Sequence, residues 1–225
     1  MLLVLPAILL SLWAQFKVSS AYKKYSQVNN RRGFTGAEVA KQLLAVSGIR
    51  DVRIEPVHGQ MTDHYDPGSK VLRLSEGVYG SASLAAAGIA AHETGHAIQH
   101  NLGYGPLGLR STLVPAANIG SRMAMPLIII GLLLSSGSGS FGLMMVYGGI
   151  ILYSIAVLFT LITLPVEFNA SSRAMELLSE NRILAEDEVA PTKKVLSAAA
   201  MTYVASALTA VLTLLRFILL SNRRR

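Results

Sequence analysis

Apolar residues in this chain come in long blocks rather than at strand or amphipathic-helix spacing, and the blocks frame one polar stretch. They cover 1–16 (MLLVLPAILLSLWAQF), 115–134 (PAANIGSRMAMPLIIIGLLL), 141–164 (FGLMMVYGGIILYSIAVLFTLITL) and 196–220. A hydrocarbon core about 30 Å thick takes roughly 20 apolar residues of helix. The last three blocks are long enough to span it, and the first is short. The second and third are joined by SSGSGS (135–140), an uncharged flexible turn, which predicts a transmembrane hairpin over 111–164. Small residues spaced one helical turn apart predict close-packed helix faces: Ala116, Gly120 and Ala124 in one block, and Ala198, Thr202, Ser206 and Ala210 in another.

The polar stretch has a different periodicity. TGAEVAKQLLAVSG (35–48) opens with a capping box, Thr35 with Glu38, continues at helical apolar spacing and stops at Gly48. In VRIEPVHGQMTDHYDPGSKVLRLS (52–75), extended runs are interrupted by HGQ and DPG, which is turn chemistry. SASLAAAGIAAHETGHAIQHNLG (81–103) predicts one long helix ending near Gly103. The expected class is an α+β membrane protein, mostly helical. It has about four membrane helices and a small strand unit packed beside the helix of 81–103. The expected segments are a membrane helix at 1–16, a helix/strand part at 17–110, the hairpin at 111–164, a polar helix at 165–195, a membrane helix at 196–220 and a basic tail at 221–225.

Composition sharpens this picture. The chain of 225 residues is 52% hydrophobic and 15% charged, against roughly 25% charged in soluble domains. Cysteine is absent, which removes disulfides and thiolate metal sites, so any metal must be held by histidines and carboxylates. The net charge of +7 is carried beside apolar segments, at Lys17, Lys23, Lys24, Arg31, Arg32 and Arg223 to Arg225. No aromatic-basic platform accompanies it, so it reads as membrane flanks and not as a nucleic-acid surface. An uncharged leading end followed by lysines predicts a cytoplasmic continuation. A hairpin returns the chain to the side it left, which puts the residues before 115 and after 164 in that compartment. The Arg-rich end runs against this tendency if the last block also crosses.

The chemistry sits in HETGH. On a helix, residues four apart share a face, so His92 and His96 can converge on one ion. Glu93, one position round, can hold a water on that ion without being a ligand, as metal-assisted amide hydrolysis requires. The flanking SASLAAAGIAA is small and apolar, and burying two histidines and a glutamate there without a partner would be costly. A third ligand must come from elsewhere. His100 continues the spacing, but a straight helix turns it away from His92. His58 and His64 lie in the strand unit. Glu167, in LPVEFNASSRAMELL (164–178), follows Pro165 on the expected side of the membrane. Spacing alone leaves it equally open as a ligand or as a favourable first-turn helix acid.

HETGHAIQH, the upstream TDHYDP and VLRLSEGVY, and the downstream PVEFNASSRAMELL together resemble a bacterial family, the YugP-type neutral zinc metallopeptidases, over nearly the whole chain. More distantly, the chain is similar to the HtpX-type and CAAX prenyl proteases, which are integral-membrane gluzincins. The resemblance implies a gluzincin-like core, one zinc ion per chain held by His92, His96 and Glu167, and Glu93 as general base. The distant group has an aspartate where this chain has Ser171, so orientation of a ligand histidine could fall to Asn169, Ser171 or Arg173.

The expected function is therefore a zinc endopeptidase of the inner, cytoplasmic membrane, multi-pass, with its site facing the cytoplasm. Its expected partners are protein or peptide substrates and membrane lipid, not nucleic acid. His58, His64, His100, Tyr104 and Arg173 are eligible to stabilise an oxyanion. Val71, Leu72, Arg73 and Leu74 are expected to form an edge strand for an extended substrate. The rival readings are a catalytically silent scaffold with structural zinc and, more weakly, a transporter with a regulatory metal.

Overall fold

The computed structural model describes residues 3–135 and 140–222. The centre of the expected SSGSGS turn and the tail Arg223 to Arg225 lie outside the described residues. In chain order the elements are α1 (Leu5–Tyr25), α2 (Gly36–Val46), β1 (Arg53–Val57), β2 (His64–Asp66), β3 (Val71–Ser75), α3 (Glu76–Tyr79), α4 (Leu84–Asn101), α5 (Gly105–Leu134), α6 (Ser140–Glu180) and α7 (Glu186–Asn222). The chain forms two compact units. One comprises Met1–Trp13, Gly108–Pro165 and Tyr203–Arg225, and the other Ala14–Leu107 and Val166–Thr202.

The first unit is built from apolar helix. Among the described residues three helices, α5, α6 and α7, are long and apolar enough to cross a membrane. The expected count of about four is thus corrected to three. In α1 the apolar run is interrupted by Gln15 and Lys17, and the last turn of the helix carries Lys23 and Lys24. Large apolar side chains stay exposed along α5, α6 and α7, among them Ile129, Leu133, Met144, Ile151, Leu158 and Leu215, as lipid-facing surfaces do. Small residues make the internal contacts. A Cβ on Gly120 would stand 2.5 Å from the Leu152 carbonyl oxygen, and one on Gly149 would stand 2.9 Å from that of Ala124, so the predicted face at 120 and 124 is a contact. The predicted face on the last block is corrected: Ser206 is exposed, and Ala205 and Ala207 are buried in its place.

The second unit is mixed. Helix α2 has the expected capping box, with both reciprocal bonds between Thr35 and Glu38 present, and Gly48 stops it at φ +71°. The three strands form one sheet in the order β1-β3-β2, with β1 parallel and β2 antiparallel to β3. Strand β3 is central, not the expected edge. Val71 to Leu74 are paired with β1 throughout, and Val71 to Arg73 are also paired with β2, so little of the backbone at Val71, Leu72, Arg73 and Leu74 is left for a substrate. The reason is burial: Val71, Leu72 and Leu74 are wholly enclosed, and an edge would leave that apolar set half covered.

Helix α4 runs through the middle of this unit. The Ser83 hydroxyl caps its start by accepting from the Ala86 N–H. Ala86 and Ala90 pack on Leu72 and Leu74 of the sheet. Ala87 and Ala91 join a second cluster with Leu178, Leu184 and Val195. Gly95 brings α6 against α4, since a Cβ there would stand 2.5 Å from the Ala170 carbonyl oxygen.

One expected break is absent. Helix α6 continues through Pro165, so Glu167 is not a first-turn acid of a new helix and that explanation for it falls. A proline removes one N–H donor and kinks or breaks a helix only where the environment allows it. Beside an apolar run, interrupting the helix would expose further backbone groups to a medium that cannot bond them. Pro115, Pro126 and Pro191 are carried inside α5 and α7 in the same way.

Gly95→Ala should lower the thermal unfolding temperature of the detergent-solubilised protein. Overpacking of about 1–3 kcal/mol outweighs the roughly 1 kcal/mol that alanine gains over glycine in a helix. A rise in that temperature would show that the two helices do not meet at this point.

Candidate metal centre

Helix α4 carries His92 and His96 on one face, and α6 crosses at Gly95, between them in sequence. Because Ala170 is the residue in contact there, Glu167, almost one turn earlier on α6, reaches back to both rings. Its Oε2 lies 3.1 Å from His92 Nε2 and 3.6 Å from His96 Nε2. One ligand atom from each of the three residues lies within 4.8 Å of the others. The group is enclosed: Glu167 is 3% and His96 8% exposed. The rings of His92 and His96 meet edge to face at 4.8 Å.

With Nε2 turned inward, each imidazole has Nδ1 engaged from outside. His92 Nδ1 is 2.9 Å from Ser171 Oγ, and His96 Nδ1 is 3.0 Å from Gln99 Oε1. Of the three side chains eligible to orient a histidine, Ser171 is the one in contact. Asn169 and Arg173 stand further out, Arg173 Nε donating to Asn169 Oδ1 at 2.8 Å. Gln99 was not anticipated; the signal available was an amide three residues past His96, on the next turn of the same helix. Burial works to lower the pKa of His96. Its hydrogen bond to Glu167, the charges of Glu93 and Glu167 and the bond to Gln99 outweigh that and raise it. Glu93 is half-buried, and among the described residues its side chain makes no hydrogen bond or ion pair.

The remaining candidates lie elsewhere. His100 bonds Tyr65, Nδ1 to the phenol oxygen at 2.8 Å, on the wall of a separate cavity of about 200 Å³ that Asp51 and Lys70 also line. Burial, with help from Asp51 and Asp66, pushes the Tyr65 phenol up to about 12. His58 pairs with Glu76 at 2.7 Å on the surface, and His64 donates to the Thr62 carbonyl at 2.7 Å. Tyr104 follows α4, its N–H donating to the Gln99 carbonyl at 2.9 Å. Among the described residues, no hydrogen bond ties these side chains to the three-residue group.

The donor set suits zinc: two imidazole nitrogens and one carboxylate oxygen, with no sulfur. A tetrahedral site with bonds of about 2.0–2.1 Å separates neighbouring donors by roughly 3.3 Å. The two gaps at Glu167, 3.1 and 3.6 Å, fall on either side of that value. Each ring turns the same nitrogen to the one carboxylate oxygen, the contact a proton occupies when no ion is held and a cation could take in its place.

Sequence comparison gives the same direction. Residues 1–222 match the profile of a family described as putative neutral zinc metallopeptidases. Over 218 residues the chain is 49% identical to the "Putative membrane protease YugP" of Bacillus subtilis (strain 168), covering 97% of this chain and 94% of that protein. No solved structure matches.

His100→Ala should leave the metal content of the purified protein unchanged, as measured by elemental analysis. It should cost about 1 kcal/mol of stability from the lost bond to Tyr65. Loss of metal from this variant would place His100 in the centre and contradict the geometry.

Proposed function

The chain belongs to the neutral zinc metallopeptidase family whose profile it matches, and on that footing we propose that it is an integral-membrane endopeptidase. It hydrolyses peptide bonds of proteins or juxtamembrane segments beside the cytoplasmic membrane surface. The observation that carries this reading is the meeting of His92, His96 and Glu167 from two helices. These three would hold one zinc ion. Three protein donors, against the four usual for structural zinc, leave a position for water and favour a peptidase over a silent scaffold. When bound, zinc makes a water acidic near neutral pH and draws charge from a peptide carbonyl.

The chain's own groups do the rest. Glu93 is next to His92 in sequence, and its charge is felt at His96. In this reading its carboxylate takes the proton of the attacking water and returns it to the leaving nitrogen. Ser171 and Gln99 keep the two rings turned. Membrane placement rests on the three long apolar helices and on sequence order, since Glu167 stands three residues beyond the apolar run 141–164 in one unbroken helix. The cytoplasmic side rests on the flanking Lys17, Lys23, Lys24, Arg31 and Arg32.

Two experiments test this. Glu93→Gln should retain zinc and lose about 10²–10⁴-fold in the rate of cleavage of an unfolded protein substrate, whereas His96→Ala and Glu167→Gln should lose the zinc itself. Undiminished proteolysis in Glu93→Gln would reject the mechanism. For the topology, the chain has no cysteine, so Gln60→Cys at an exposed loop gives a single thiol. A membrane-impermeant maleimide should label it in inside-out vesicles and not in intact protoplasts; the reverse pattern would put the site outside.

A further inference from the structure

We infer that Gln99 is the positioning residue for His96, imposing the ring tautomer that leaves the Nε2 lone pair on the metal side. The inference rests on the reading of His96 as a zinc ligand and adds to it a residue outside the HETGH motif. Gln99 is fully buried and every polar atom of its amide is used. Oε1 faces His96 Nδ1 at 3.0 Å, and Nε2 donates to the Val166 carbonyl at 2.8 Å and to Asn169 Oδ1 at 2.9 Å.

The direction of this chain is dictated at both ends. The Val166 carbonyl can only accept, so the amide nitrogen of Gln99 must face it. The Arg173 guanidinium can only donate. It therefore holds Asn169 with Oδ1 toward it at 2.8 Å, and that same oxygen takes the second N–H of Gln99. The amide oxygen of Gln99 is left for His96, and an oxygen acceptor there requires the proton on Nδ1. With the Nδ1 proton committed to Gln99, Nε2 is the nitrogen that gives its lone pair to a metal, and neutral imidazole with its one N–H on Nδ1 is the state in which the ring binds. His92 differs: its partner is the Ser171 hydroxyl, which can donate or accept and imposes nothing. The two ligand rings are thus held unequally. Val166 adjoins Glu167, so Gln99 also ties the His96 ring to the backbone beside the third ligand.

The test is zinc affinity of the full-length protein in detergent, by chelator competition, for wild type, Gln99→Leu and Gln99→Glu. Leucine removes the acceptor and should weaken zinc binding about 10–100-fold, the usual effect of losing a partner behind a metal ligand. Glutamate keeps an acceptor for His96 but loses the N–H groups toward Val166 and Asn169. It should hold zinc within a few-fold of wild type while lowering the unfolding temperature of the metal-free protein. Equal loss in both variants would make Gln99 a brace between helices, and unchanged affinity in Gln99→Leu would leave it no part in the site; either result overturns the inference. Should the leucine variant not fold, nitrogen-15 spectra of the metal-free wild type at alkaline pH decide. One imidazole with its proton fixed on Nδ1 supports the assignment, and rapid averaging of both rings refutes it. Wild type that takes up no zinc would instead overturn the metal-centre reading itself, a result separable from the behaviour of the variants.

Discussion

The centre depends on how closely two helix backbones can approach. Helix α4 offers two imidazoles a turn apart, but an ion held by them alone would be weakly bound and partly bare. Glu167 reaches the pair because α6 lies against α4 at Gly95, where even one added methyl carbon would meet the Ala170 carbonyl. A side chain at that point would push the carboxylate outward, and coordination tolerates only tenths of an ångström. The glycine inside HETGH is therefore a steric condition of the site. The alanines before it serve the same end, with Ala86 and Ala90 on the sheet and Ala87 and Ala91 on the helical cluster. An alanine-rich helix can be enclosed on several sides and still keep strong helix propensity.

Enclosure sets the electrostatic problem that the surrounding polar residues solve. Two imidazoles and a carboxylate withdrawn from water need partners for every lone pair and proton. Among the described residues no buried side-chain polar atom is left without a hydrogen bond. The outer nitrogens of the rings go to Ser171 and Gln99, and Gln99 passes its own N–H groups to Val166 and Asn169. The inner atoms face one another, and that is where a cation could be held. Among the described residues the half-buried side chain of Glu93 makes no hydrogen bond within this network. On the proposal that Glu93 carries protons, a committed hydrogen bond would hold it back from solvent and substrate.

Helix α6 carries residues of both the apolar run and the candidate centre. The helix that contributes the apolar run of 141–164 also contributes Glu167, Asn169, Ser171 and Arg173. Pro165 falls between the two and does not interrupt it. One helix thereby sets Glu167, the partner of His92 and the outer end of the Gln99 network together. A ligand on a flexible loop would have to be ordered anew at each binding event.

Much of this was legible along the chain because it is local. The capping box at Thr35, the helix of 84–101 and its stop near Gly103, the strand unit and the three long apolar helices all follow from neighbour-to-neighbour rules. So does the pairing of His92 with His96, a matter of four residues on a helix. The structure decided what depends on contacts between distant segments. It showed β3 to be the middle of its sheet, since which strands pair is settled by burial and not by the strand's own residues. It removed the first-turn explanation of Glu167 by running α6 through Pro165, and it took His100 and His64 away from the site. It also revealed Gln99 and selected Ser171 over Asn169 and Arg173. Sequence alone carried the family and the pair of imidazoles on one helix face, because side-chain type and helical period suffice for that. Which groups meet, and which nitrogen of each ring faces inward, depends on distances between segments some 75 positions apart, and only packing sets those.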